Sequence, residues 1–154
     1  MMTPWGVRTM SVEDGKYDGG YHTGMVWPLM TGWFSIAAYR LGFVDQGYDQ
    51  IKTFAENAFH STDPGRINEA YASDQPTPTG QFAQGWSSSM FIMSLLGGMV
   101  GMSIWSDGSN DLKSVFNPHL PEDIKEITLR HFNWHGEKFK VVVNNQNVTM
   151  EREE

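Results

Sequence analysis

The stretch MVWPLMTGWFSIAAYRL, residues 25–41, decides how the rest of the chain is read. It predicts a helix, with Pro28 in the first turn, where a missing N–H costs little. Val26, Leu29, Met30, Trp33, Phe34, Ile36, Ala37 and Leu41 leave it almost no polar face. A helix apolar nearly all round has to be covered on all sides. Gly42 is its stop, and Asp45 is the N-cap expected for the next helix. That helix, about 46–59, shows one stripe of Tyr48, Ile51, Ala55, Ala58 and Phe59, while Asp49, Gln50, Lys52, Thr53, Glu56 and Asn57 face elsewhere. It reads as a one-sided surface helix, and the turn of about three residues before it makes the pair an antiparallel hairpin. A third helix, about 84–102, is again apolar nearly all round through Met90, Phe91, Ile92, Met93, Leu95, Leu96, Met99 and Val100. The order buried, surface, buried is the pattern of a toroid of helical hairpins, an inner ring enclosed by an outer one.

Two loops precede the buried helices. Residues 1–24 are broken by Gly6, Gly15, Gly19, Gly20 and Gly24, yet carry Trp5, Arg8, Tyr17, Tyr21 and His22. Residues 65–86, GRINEAYASDQPTPTGQFAQGW, place Glu69 among Arg66, Asn68, Tyr71 and Asp74 and end on Trp86. Antiparallel pairing of the first two helices returns the second loop to the end where the first buried helix begins, so both loops share one face. Aromatic faces, amides and a carboxylate are what a sugar site uses. A glutamate near helix N-termini stays ionised near neutral pH, which suits a base rather than an acid. The other acids nearby, Glu13, Asp14 and Asp18, lie on turn dipeptides and read as solvated. By itself, Trp33 reads as core.

After a connector containing Asp107-Gly108, residues Ile127, Leu129 and His131 alternate with Thr128 and Arg130, and Phe139, Val141 and Val143 alternate with Lys140 and Val142. Trp134-His135-Gly136-Glu137 is a hairpin turn, and Val148–Arg152 adds a third strand, giving a small β-meander. The expected division is 1–105 toroid, 106–123 connector and 124–154 meander. The formal charge of −7 and the lack of a basic stripe argue against a nucleic-acid partner. The apolar run Met90–Ile104 is short of the ~20 residues that span a bilayer. Cysteine is absent, so no disulfide or thiolate metal site exists. His131 and His135 fall on a hairpin rather than a helix face and suggest no shared metal. No signal-peptide core opens the chain, and the location expected is cytoplasmic.

TPWGVRTMS (3–11), YHTGMVWPLMTGW (21–33), GRINEAY (65–71) and GQFAQGWS (80–87) together resemble the C-terminal catalytic domain of glycogen debranching enzymes of the amylo-α-1,6-glucosidase type. These are six-hairpin (α/α) toroid glycoside hydrolases, a group that includes glucoamylases and trehalases. The resemblance covers about residues 3–102 and implies a mainly α chain holding the last hairpins of the (α/α)6 toroid. It implies an inverting mechanism on an α-glucan or glycogen-derived oligosaccharide, without a cofactor or metal. The family's general base matches Glu69, in a motif with Tyr71. Its pocket-lining pairs match Tyr21, His22, Trp27 and Pro28, and its closing aromatic matches Trp86. Arg66 and Asp74 complete the expected substrate contacts. The family's general acid lies upstream of the matched motifs, so the missing N-terminal hairpins, in the same protein or supplied in trans, are an expected partner. The alternatives are a glucan-binding or assembly module that does no chemistry, and another toroid α-glucosidase of glucoamylase or trehalase kind.

Overall fold

The computed structural model describes residues 1–60, 63–103 and 112–153. The expected Asp107-Gly108 turn and the expected boundary at 105/106 lie outside them. Helices α1 (Pro28–Arg40) and α2 (Val44–His60) form the antiparallel hairpin. Asp45 falls inside the first turn of α2 rather than at its cap. Helix α3 (Gly85–Met93) runs on as a π-helical segment, Ser94–Met99, so the third rod is shorter than the apolar run suggested.

The packing of α1 departs from the expectation of a helix enclosed all round. Its core-facing side is made of small residues: Thr31, Gly32, Ser35 and Ala38, with Tyr39. A Cβ at Gly32 would lie 2.7 Å from Met90 Cβ of α3, and the Ser35 hydroxyl donates to the Gly47 carbonyl of α2 at 2.9 Å. Small side chains let both neighbours approach the α1 backbone; Leu29 and Ile36 pack at the edge of that contact, against Phe54, Ile67 and Met90, and the rest of the helix surface is left open. Trp33, expected as core, is 54% exposed and Leu41 is 72% exposed. Ile92 of α3 is exposed as well. On α2 the buried face is rotated from the expected stripe: Gln50, Ile51, Thr53 and Phe54 are buried, while Phe59 is exposed.

The helices do carry the two loops to one end. Strands β1 (Met2–Thr3) and β2 (Gly6–Val7) form a hairpin, as do β3 (Ala70–Tyr71) and β4 (Pro78–Thr79). Val26, just before α1, bridges Arg8 on one side and Tyr71 on the other. The Val7 N–H donates to Thr31 Oγ1 at 2.9 Å, the Trp5 indole to the Ala72 carbonyl at 3.1 Å, and Arg8 to the Ser73 carbonyl at 2.7 and 2.9 Å. Loop 1–24 is therefore fastened both to α1 and to the loop that carries Glu69.

The tail is the expected meander: β5 (Ile127–Trp134), β6 (Glu137–Val143) and β7 (Val148–Glu153), in spatial order β5-β6-β7. His135 and Gly136 both have positive φ, 50° and 82°, as a two-residue type I′ turn requires. The expected alternation fails at one point. The register of β5 against β6 shifts between Leu129 and Phe132, and His131 takes φ 53°. This bulge turns His131 out and brings Phe132 and Trp134 onto the face already occupied by Ile127 and Leu129. That face closes on Val100 from the end of the helical rod and on Val115 and Phe116 of the connector.

Candidate functional site

Glu69 directly precedes β3, at the end where the loops meet, and is 7% exposed. The cover over it is thin and made of donors. The Gln81 N–H donates to Oε2 at 2.9 Å, the Gln84 amide Nε2 to Oε1 at 3.3 Å, and the Tyr21 hydroxyl reaches the same carboxylate from the other loop. The Tyr21 bond first, then the Gln81 N–H, hold the Glu69 carboxyl below its ordinary range. Burial pushes the other way and is outweighed, because each donor favours the ionised form. The same contact raises the Tyr21 phenol, which stays a donor throughout the neutral range. A main-chain pair completes the frame, since Glu69 N–H donates to the Gln81 carbonyl at 3.0 Å.

Tyr21 is set by its own neighbours. Its ring meets Trp27 edge-on at 4.7 Å and His22 at 4.7 Å, while His22 stacks on Trp27 at 5.7 Å. The Trp27 indole donates to the Tyr21 carbonyl at 2.9 Å. Trp27 thus forms a buried floor beneath Tyr21 and His22, both of which are exposed. Pro28 is the buried first residue of α1, and its contribution is to start the helix. Tyr71 is 1% exposed and sits on β3, paired with Pro78 and bridged to Val26. Pro28 and Trp27 are buried at the start of α1, directly beneath the exposed pair.

The remaining expected contacts are spread along the rim. Arg66 is exposed and stacks its guanidinium 4.4 Å from the centre of the Phe82 ring. Trp86, in the first turn of α3, is 44% exposed. Asp74 lies in the exposed turn closed by Ala72 N–H to the Thr77 carbonyl, with no described bond to the Glu69 group. The other acids are committed to their own turns: Asp14 Oδ1 accepts from Lys16 N–H, and Asp18 Oδ1 from Gly20 N–H and the Thr23 hydroxyl. Among the described residues no group of three His, Cys, Asp or Glu side chains is placed to hold a metal ion, and no helix is long and apolar enough to cross a membrane.

Three contributors were not singled out from sequence: Gly80, Gln84 and Phe82. Gly80 has φ 69°, and a Cβ there would lie 2.5 Å from Glu69 Oε2. The signal for them was the segment GQFAQGW itself, in which a glycine and an amide open and close the last five residues before α3. A cavity of about 400 Å³, lined by Arg40, Gly97, Asn117 and His119 among others, lies at the other end of α1 and shares no residue with this site. The carboxylate chemistry, not that cavity, marks the candidate site.

Comparison with known proteins separates the two parts of the chain. Residues 111–154 match the family described as Glycosyl hydrolase family 65, C-terminal domain. Residues 1–93 match the family described as Amylo-alpha-1,6-glucosidase. No curated protein and no solved structure matches the chain. The match over residues 1–93 covers more than half of the 154 residues and contains every group around Glu69, so the chain belongs to the amylo-α-1,6-glucosidase family.

Proposed function

We propose that Glu69 is the general base of an inverting glycoside hydrolase that acts on α-glucans, with α-1,6 branch stubs of glycogen-type chains as substrate. The observation that carries this reading is a nearly buried carboxylate that accepts from the Gln81 N–H and the Gln84 amide and faces the Tyr21 hydroxyl. A carboxylate offers about four lone-pair positions. Gln81 takes one on Oε2 and Gln84 one on Oε1, so that, with Tyr21 facing the same group, a position is left for a water. In the proposed step, Glu69 takes a proton from that water as its oxygen bonds to the anomeric carbon. The glycosidic C–O bond breaks on the opposite face, and a second carboxyl group gives its proton to the departing oxygen. The products are a chain with a free hydroxyl and β-glucose, inverted from the α-linkage. Exposed aromatic rings at Tyr21, Phe82 and Trp86 supply faces on which sugar rings stack.

Inverting hydrolysis places the two carboxyls about 6.5–9.5 Å apart. Glu13, Asp14 and Asp18 are exposed turn residues, so the general acid is assigned to a segment outside this chain, in the same protein or supplied in trans. The absence of cysteine fits action in a reducing compartment such as the cytoplasm.

In the intact protein, Glu69→Gln keeps the shape and removes the base. Release of glucose from glycogen limit dextrin should fall by roughly 10²–10⁴-fold, while glucan binding survives. The acidic limb of kcat/KM should lie below the ordinary carboxylate range, since Glu69 is active only when ionised. Unchanged turnover in the variant ends the assignment. Parallel assays on maltose and trehalose separate the debranching substrate from those of other toroid α-glucosidases. The rival reading, a binding module without chemistry, rests on the exposed rings of Tyr21, Phe82 and Trp86, which can hold sugar without cleaving it. It predicts glucan binding by the intact protein with no glucose released.

A further inference from the structure

We propose that Gln84 is the positioning residue of this site, its amide locking the Glu69 carboxylate to the first turn of α3. The inference rests on the reading of Glu69 as the base and says what holds that base in place. Gln84 is the N-cap of α3, and its Oε1 accepts from the Gly85 N–H at 3.1 Å. Its Nε2 donates to Glu69 Oε1 at 3.3 Å. Its own backbone N–H donates to the Ile67 carbonyl at 3.2 Å, two residues before Glu69. Main chain and side chain are thus tied to the same segment.

The residue type follows from the two jobs. The helix end requires an acceptor, and the carboxylate requires a donor. Carboxylate side chains only accept and lysine only donates, whereas a primary amide does both at once. Asparagine is one methylene shorter. The amide orientation is fixed by the same logic, because a flipped Gln84 would set its NH₂ against the Gly85 N–H and its oxygen against the carboxylate. Gln81 holds Oε2 through its main-chain N–H, which no substitution other than proline removes. Gln84 holds Oε1, so together the two donors fix the carboxylate plane and hence the direction of its free lone pair.

The test reads Glu69 directly. In the full chain labelled with ¹³C-carboxyl glutamate, the Glu69 signal is the one missing from Glu69→Gln, and its midpoint is followed with pH. Gln84→Glu keeps an acceptor for the helix end but sets a second carboxylate against the first. The Glu69 midpoint should then rise by about one unit or more. Tyr21, the titratable group facing Glu69 from the other loop, remains protonated across that window and contributes equally in every variant. An unmoved midpoint in a folded Gln84→Glu chain overturns the proposal and leaves Gln84 as a helix cap only. Should that variant fail to fold, Gln84→Met removes the donor without adding charge, and a Glu69 midpoint unchanged in it is equally fatal. In the intact protein the same substitutions should lower kcat more than they raise KM and carry the acidic limb upward with the carboxyl midpoint. If Glu69→Gln leaves hydrolysis intact while the midpoint still follows Gln84, the base assignment falls and the coupling stands.

Discussion

Gly80 has no side chain, and the Glu69 carboxylate occupies the space one would need. Two constraints meet there: φ is 69°, in the left-handed region, and a Cβ would lie 2.5 Å from Oε2 and 3.0 Å from the Glu69 Cβ. Gly80→Ala therefore has to strain the backbone or displace Glu69, and displacement breaks the 2.9 Å bond from Gln81 N–H. We expect a loss of about 1–3 kcal/mol from the two effects together, read by denaturant titration, with glucose release falling alongside. An alanine chain as stable as the wild type would mean that the carboxylate does not rest on this backbone. The contrast with Tyr71 is instructive. Both Glu69 and Tyr71 stood out in the sequence as polar members of one loop, but a tyrosine is equally suited to a core and to a sugar site. The structure places it in the core, on the strand that pairs with Pro78 and Val26.

Helix α1 shows how an apolar composition reveals an element but not its packed face. Every large side chain of residues 25–41 argued for burial, yet the neighbours pack on Thr31, Gly32, Ser35 and Ala38. The reason is the distance of approach: helices close most tightly where side chains are small, and the energy then comes from many short contacts rather than a few bulky ones. Gly32→Ala tests this. In an exposed helix the change should gain up to about 1 kcal/mol from propensity. Here the new methyl lands 2.7 Å from both Cβ and Cε of Met90, and overpacking of that kind costs roughly 1–3 kcal/mol. The expected outcome is net destabilisation in thermal melts, and a stabilised variant would contradict the close crossing. The existence, order and antiparallel pairing of the helices were legible in the sequence, as were the hairpin turn at Trp134–Glu137 and the three tail strands. The bulge was written there too, since the apolar positions 127, 129, 132 and 134 change phase by one residue. A strict alternation carried through His131 overlooks that step. The rotated face of α2, with Phe54 in and Phe59 out, had no such mark, because both phenylalanines fit an apolar stripe and only contact with Phe91 and Ile67 selects one.

The helical part and the tail match two separate family descriptions, yet their cores are continuous. Met99 joins Tyr39, Ile51 and Leu120 in one cluster, and its neighbour Val100 joins Val115, Phe116, Val141 and Val143 in the next. Ile127 packs against both. The connector is woven in by Met102 bridging Phe116, by Asn117 N–H donating to the Gly101 carbonyl at 3.0 Å, and by Asn145 clamping both polar groups of the Leu120 main chain. At Gly101 a Cβ would fall on the Asn117 carbonyl, so the two backbones touch. A three-stranded sheet with one such shared face has little reason to melt alone. Val141 is fully buried in the middle strand, and Val141→Ala should cost about 2 kcal/mol through lost burial and the cavity left behind. For a chain of this length that is a fall of roughly 4–8 °C in Tm. The discriminating feature is shape rather than size. If the two cores are one cooperative unit, the helical signal in far-ultraviolet circular dichroism and the aromatic signal from Trp134 should fall together, with calorimetric and van't Hoff enthalpies equal. A tail that melts first, leaving the helical transition in place, would show that the junction at Met99 and Val100 does not couple the two halves, and that the sheet is an independent module carried beside the Glu69 site.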